Sequence, residues 1–285
     1  MAPNATMQAL VYNGTPYNVT IANVSRPTIQ NHTDAVVRIT TSAICGSALH
    51  FYHGLMGGTP PCVVGHEAIG HVSAVGDAVS SLSVGDYVVI PDNAAAGHLE
   101  MVPEALNSFG GGTGLGGLQA EYARVPFADD SLIPVPLTHE TTNSSVERDY
   151  LTTGDIFATG WSAIDYSGFQ PGDTVAVFGA GATRNGGIGQ IGVYMQQETS
   201  PAAPLGDSIP QNVSFAISDF FLKHLRYEAG IVDPKVLAPQ LVELISAGRA
   251  RPSFISTAEI RIDEVPRYYE RFDRKENIKV YIHFP

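Results

Sequence analysis

Two apolar segments in the second half of the chain lie too close together for the architecture that their sequence begins to spell. Thr174-Val-Ala-Val-Phe178 has the composition of a buried strand and runs into Gly179-Ala-Gly181. That is how a dinucleotide fingerprint opens, with a strand, a tight glycine turn and a helix N-terminus that holds a pyrophosphate. The third glycine position holds Arg184, and no helical segment follows. Nine residues separate Phe178 from a second apolar strand, Ile188 to Met195. A parallel crossover needs a dozen or more residues. The two strands are therefore not joined as parallel neighbours, which leaves antiparallel pairing or pairing with another chain. The acid that would hold a ribose is due about twenty residues past the turn. Glu198 is the nearest, and it stands in a loop before Pro201 and Pro204. A glycine turn between strands accounts for Gly179 and Gly181 without a ligand, so they are weak cofactor candidates and no NAD(P) binding is expected.

Upstream the pattern is different. Ala35-Val-Val-Arg-Ile-Thr, Gly70-His-Val-Ser-Ala-Val and Asp86-Tyr-Val-Val-Ile read as short strands broken by Gly and Asp turns, the pattern of a closed or rolled β-domain. Residues 92–117 read as a surface lobe with a helical candidate from His98 to Leu106 and a glycine-rich loop from Gly110. Helical spacing returns at Asp155–Gly168, at Val236–Ala247 behind Pro234, and at Asp263–Phe272; a last strand covers Ile278–Phe284.

Composition narrows the function. With 285 residues and 44% hydrophobic content the chain can bury a sizeable core. Sixteen Lys and Arg against 28 Asp and Glu give a net charge of −12, a field that repels a phosphate backbone, so no nucleic-acid partner is expected. No run of eighteen apolar residues is present, so no membrane span is expected. Met1-Ala2-Pro3-Asn4 lacks the basic and apolar regions of a secretory leader, and two cysteines make no disulfide framework. A cytoplasmic location is the expectation.

Those two cysteines include Cys45, in Ala43-Ile-Cys-Gly-Ser-Ala-Leu-His50, and 21 residues on stands His66, in Gly65-His-Glu-Ala-Ile-Gly70. A thiolate and an imidazole suit zinc, and a third ligand plus one open position would make the site catalytic. On spacing alone, a buried thiol and a satisfied core histidine account for the pair as well.

Gly65-His-Glu-Ala-Ile-Gly-His-Val-Ser-Ala-Val-Gly76 and Val79-Ser-Ser-Leu-Ser-Val-Gly-Asp-Tyr-Val88 resemble the signature of the zinc-containing medium-chain dehydrogenases. Gly117–Pro126 and Asp155-Ile-Phe-Ala-Thr-Gly160 extend the likeness, closest to the formaldehyde-dehydrogenase-like branch. The resemblance implies a β-rich α/β fold: a GroES-like β-barrel over residues 1–160, completed by about 250–285, beside a Rossmann remnant over 161–249 that lacks about a hundred residues. It also implies Cys45, His66 and Asp155 as ligands of one catalytic zinc, with Glu67 beside the metal or as an alternate ligand. Ser47 and His50 match the hydroxyl and imidazole of a proton relay. Two departures stand out. The acid that orients the ligating histidine in the family is Ala48 here, which should loosen the metal site. The lobe that carries four cysteines in many relatives carries none, so no structural zinc is expected.

A zinc pocket without a hydride acceptor points to non-redox chemistry: cyclisation, dehydration, isomerisation or aldol-type carbon–carbon chemistry, in secondary metabolism. Ser47, His50 and Glu67 would handle protons for an oxygenated small molecule, with room for a bulky apolar one walled by Tyr52, Phe109, Phe157 and Trp161. The alternatives are a zinc- and NAD(P)-dependent alcohol or aldehyde dehydrogenase and a non-catalytic remnant. A homodimer through Ile188–Met195 is the expected assembly.

Overall fold

Among the described residues, ten strands and three short helices precede Asp155. A computed structural model describes them within residues 5–96, 107–112, 114–173, 187–191, 198–208, 212, 214, 216–222 and 225–285. The strands are β1 (Thr6–Tyr12), β2 (Val19–Ser25), β3 (Ala35–Ile44), β4 (Cys62–Val63), β5 (Ala68–Val75), β6 (Tyr87–Ile90), β7 (Asn93–Ala94), β8 (Asn107–Ser108), β9 (Tyr122–Val125) and β10 (Ile133–Pro134). The helices are α1 (Ala48–Tyr52), α2 (Ala128–Ser131) and α3 (Ser144–Leu151). Beyond Asp155 come α4 (Ile156–Tyr166), β11 (Gly187–Gln190), α5 (Ile217–Leu222), β12 (Arg226–Ala229), α6 (Pro234–Ser246), β13 (Ala258–Arg261), α7 (Val265–Asp273) and β14 (Val280–His283).

The dominant sheet has the order β10-β6-β5-β3-β14-β13, and β9 also pairs with β3. Its centre is β3, whose run of Val, Ile and Thr suits a pleated strand packed on both faces. It is antiparallel to β5, β9 and β14, with register shifts at Val36/Val37 and Ile39/Thr41. Such bulges bend a strand so that it can serve two partners along one edge. The C-terminal strand β14 enters this sheet beside β3 and carries β13, parallel, on its outer side. Three apolar clusters fill the space around the sheet, one around Ile39, Val88 and Leu118, one around Leu10, Ile44 and Tyr269, and one around Ile69, Leu151 and Tyr281. Tyr52 and Phe109 belong to these clusters, 3% and 1% exposed. They are therefore core residues, and the expectation that they line a substrate pocket is corrected: both rings face apolar neighbours inside the barrel half.

Helix ends follow their sequence. Asn143 caps α3 by accepting from the N–H groups of Ser145 and Val146, and Asp233 caps α6 by accepting from Lys235, with Pro234 at the first turn. The expected helices over 155–168, 236–247 and 263–272 match α4, α6 and α7 to within a few residues.

The segment after α4 departs from expectation. Strand β11 pairs parallel with β12, Gly187 opposite Arg226 through Gln190 opposite Ala229. Thirty-five residues lie between the two strands, ample for a parallel crossover. Antiparallel pairing is thus not what β11 does, and its partner within the chain is a strand that the sequence pattern did not reveal. Gly189 permits the packing of this small sheet on α4: a Cβ there would lie 2.1 Å from the carbonyl oxygen of Ala163. The expected helix at 98–106, the strand at 174–178, and Gly179, Gly181 and Arg184 lie outside the described residues. No helix among the described residues is long and apolar enough to cross a membrane.

Candidate metal site

Cys45 stands where β3 ends and the chain turns into α1; His66 stands one residue before Glu67 and the start of β5. Gly65 places the histidine, because its φ of +94° is open to glycine and a Cβ would strike Gln119 at 2.5 Å. Asp155 closes the turn after α3 and occupies the N-cap position of α4. The three are separated by up to 110 residues in sequence, yet one ligand atom from each lies within 4.8 Å of the others.

Two side chains that would ordinarily cap helices face this cluster instead. Ser47, at the N-cap of α1, makes no capping hydrogen bond. Its Oγ donates to Cys45 Sγ at 3.1 Å and lies 3.0 Å from His66 Nε2. Asp155 likewise makes no cap and sets Oδ2 3.3 Å from His66 Nε2. Thr159 donates to its other oxygen at 3.2 Å. Both helices thus give up the usual stabilisation of an N-cap side chain, about 1 kcal/mol each.

The cluster's protonation follows from its burial and its neighbours. Burial pushes the Cys45 thiol up, and Asp155 and Glu67 add to it. For His66 burial favours the neutral ring, but its hydrogen bonds to Asp155 and Cys45 outweigh it and raise the imidazole well above its usual range. Burial would also raise Asp155, but the hydrogen bond and charge of His66, then Lys279, hold it down at about 2.

The donor set fits a zinc ion. Thiolate, imidazole and carboxylate are its common ligands, and a tetrahedral ion with N and O bonds of about 2.0–2.1 Å spaces those atoms roughly 3.3 Å apart. Asp155 Oδ2 is buried and, among the described residues, faces only the His66 ring nitrogen at 3.3 Å without a well-aligned hydrogen bond, an acceptor that a cation would satisfy.

Glu67, fully buried, forms an ion pair with Lys279, which precedes β14 and is itself 2% exposed. Burial opposes the ammonium, but Glu67, Cys45 and Asp155 hold Lys279 above its ordinary range. The sequence reading did not single out Lys279, which lies in the segment Ile278–Phe284 expected as the last strand. The pair keeps Glu67 engaged on one oxygen while Oε1 stays without a partner. Asp92 was missed too. Burial and then Asp155 push its carboxyl up to about 7, against the pull of His66, Asn93 and Lys235.

His50 lies on α1, half-buried, and burial together with His53 lowers its pKa, so the ring is neutral near pH 7. The hydrogen bonds of Ser47 run to Cys45 and His66 and not to His50. Ala48 is 2% exposed and packs among Leu10, Ile44 and Tyr52, so apolar core occupies the place of the family's acid. Phe157 and Trp161 stack edge-on along α4, with ring centroids 6.2 Å apart.

Comparison with known proteins fits this geometry. Residues 31–137 match the alcohol dehydrogenase GroES-like domain. An uncharacterized zinc-type alcohol dehydrogenase-like protein of Bacillus subtilis is 35% identical over 193 residues, 61% of this chain and 50% of that protein. A glutathione-independent formaldehyde dehydrogenase of Pseudomonas aeruginosa is 31% identical over 61% of this chain and 48% of its own length. Among solved structures, an alcohol dehydrogenase from Thermus sp. ATN1 superposes with a TM-score of 0.77 at 27% identity, over 97% of this chain and 99% of that one. The chain spans about half the length of the curated relatives it matches.

Proposed function

Since the chain belongs to the zinc-type alcohol dehydrogenase-like medium-chain superfamily, we propose that it interconverts an alcohol and its carbonyl compound at a site held by Cys45, His66 and Asp155, with a nicotinamide nucleotide as hydride partner. The observation that carries this reading is the buried three-donor cluster of Cys45, His66 and Asp155, with one ligand atom of each within 4.8 Å of the others. The three relatives described above are named dehydrogenases, which favours redox chemistry over the non-redox reactions expected from sequence and counts against the expectation of no NAD(P).

Bound zinc would act as a Lewis acid and ease ionisation of an alcohol at neutral pH. The chain's own residues supply the rest. Ser47 Oγ, already placed among the donors, can take up or release a proton there. His50, neutral and half-buried on the same helix, is the imidazole that would pass that proton outward. Lys279 holds Glu67 in place beside His66 and balances its charge, so that the buried carboxylate persists next to the donors.

A second reading keeps the zinc pocket but runs non-redox chemistry on an oxygenated substrate. It is favoured by the sheet of β11 and β12, the sole sheet among the described residues between α4 and α6, which is far smaller than a dinucleotide-binding unit. A non-catalytic remnant is the third. The domain limits of 1–160 with 250–285 and of 161–249, a homodimer, and a cytoplasmic location belong to the proposal; both cysteines are free thiols, as a reducing compartment would leave them.

The test is zinc content followed by titration of NADH and NADPH into the zinc-loaded protein, read by calorimetry. Micromolar binding supports the dehydrogenase. No binding up to millimolar nucleotide sinks it and leaves the non-redox reading. In the same series His66→Ala should lose both metal and turnover; full retention of zinc by that variant would overturn the ligand assignment.

A further inference from the structure

One buried amide joins the two segments that carry the thiol and the imidazole of the donor cluster, and the chemistry above makes no use of it. Gln119 is 1% exposed. Its backbone N–H donates to the carbonyl of Val64 at 3.0 Å, and the N–H of Leu118 donates to the carbonyl of Gly65, the residue before His66, at 2.9 Å. Its side chain crosses to the other segment: Nε2 donates to the carbonyl of Ala43, two residues before Cys45, at 2.9 Å. Gly65 lets the stem of that side chain pass, since a Cβ there would lie 2.5 Å from Gln119 Cγ.

The Ala43 carbonyl lies beyond the reach of the sheet on this side. Pairing of β3 with β5 ends at Ser42 opposite Ala68. The N–H of Ala43 still donates to the Glu67 carbonyl at 3.3 Å, and the Gln119 amide then takes the place of a further strand residue. The far end of the amide is fixed as well. Tyr269, on α7 and 1% exposed, donates its hydroxyl to Gln119 Oε1 at 2.8 Å. A carbonyl only accepts, so Ala43 demands the NH₂ group and leaves Oε1 to the phenol; one orientation of the amide satisfies both. Contacts thus run from the C-terminal helix through Tyr269 to Gln119, and from there to Ala43 on one side and to Val64 and Gly65 on the other. Helix α1 brings no carboxylate to orient His66, so the spacing of Cys45 and His66 rests the more on the backbone that this amide ties together. Groups that orient ligands from behind are worth about 10–100-fold in metal affinity.

We propose that Gln119, locked by Tyr269, is a positioning residue that sets the spacing of Cys45 and His66, and with it the affinity and coordination geometry of the metal. The inference rests on the metal reading of the cluster.

The test uses cobalt(II) in the full chain, with the cobalt–thiolate absorption reporting Cys45, the d–d bands reporting geometry, and competition with a chelator giving affinity. Tyr269→Phe removes one hydroxyl and keeps the ring; it should weaken cobalt about tenfold and shift the d–d bands. Gln119→Met should do the same or more, and the double variant should lose no more than Gln119→Met alone, because Tyr269 acts through the amide. Ile260→Ala, in the same apolar cluster as Tyr269, is the control: it should lower the unfolding midpoint and leave affinity and bands as they are. Should Gln119→Met fail to fold, Tyr269→Phe against Ile260→Ala decides. Unchanged affinity and bands in Tyr269→Phe overturn the positioning role, as do equal spectral shifts in Ile260→Ala, or losses that add in the double variant. No cobalt–thiolate absorption in the unaltered protein overturns the metal reading itself and this inference with it.

Discussion

The two parts of this molecule handle the same problem, the burial of sheet faces and edges, with very different means. Around β3 every long strand edge has a partner, and the C-terminal strands β13 and β14 return to extend the sheet. The described sheet after α4 has two strands of four residues each. Its apolar cluster holds Ala158, Val232 and Leu241 at the centre, and nearby Ile217, Phe221 and Leu222 are more than 70% exposed. Among the described residues, burial of about 1.5–3 kcal/mol per large apolar side chain accumulates in the first part and much less in the second. The candidate metal site sits at the junction. Cys45 and His66 come from the first part, Asp155 opens the helix that leads to the second, and Lys235 reaches back from α6 to Asn93. Chemistry in this chain is therefore anchored on the well-packed side and bordered by the sparse one.

The largest expected effect tests that anchoring. Lys279→Met should leave Glu67 buried and unpaired, a loss of about 3–5 kcal/mol, seen as a lowered midpoint in urea unfolding. Adding Glu67→Gln should restore most of it; a single variant as stable as the parent would mean that the pair is not closed in solution. Next come matched cavities on the two sides. Leu118→Ala, in the barrel core, should cost about 3–4 kcal/mol, and Leu241→Ala, in the small cluster, about 2–3. Equal losses would break the contrast drawn above. Ala48→Asp is smaller and two-signed. An acid beside Leu10 and Ile44 should destabilise the metal-free protein while tightening zinc about tenfold, as measured by competition with a chelator. No tightening would mean that His66 is oriented by other contacts.

The smallest effect lies on the rim of the barrel half. Slight burial of Asp129 favours its neutral form, but the hydroxyls and N–H groups of Ser81 and Ser80 outweigh this and hold it at about 2. Its folded pKa is below its unfolded value. The stabilisation is therefore present above about pH 4 and disappears as pH falls toward about 2. Because the carboxylate is largely exposed, solvent screening limits it to less than about 1 kcal/mol. Asp129→Asn should accordingly lower stability slightly at pH 6 and not at all near pH 2, in paired thermal melts.

The sequence by itself determined the local pieces. Alternating β-branched residues placed β3, β5 and β6; Pro234 and Gly248 bounded α6; the motif around Gly65-His-Glu carried the family and, through it, Cys45, His66 and Asp155 as candidate ligands. Those signals are short in range, and backbone preference and side-chain type are enough to write them. Tertiary structure alone decided which distant groups meet. Lys279 pairs with Glu67 across 212 residues and Lys235 reaches Asn93 across 142. β12 lies beside β11 because a 35-residue segment folds back, which no periodicity announces. Ser47 and Asp155 stand at helix N-termini, yet neither caps its helix and both turn toward His66, since a hydrogen bond inside a buried cluster outweighs one to an exposed helix end.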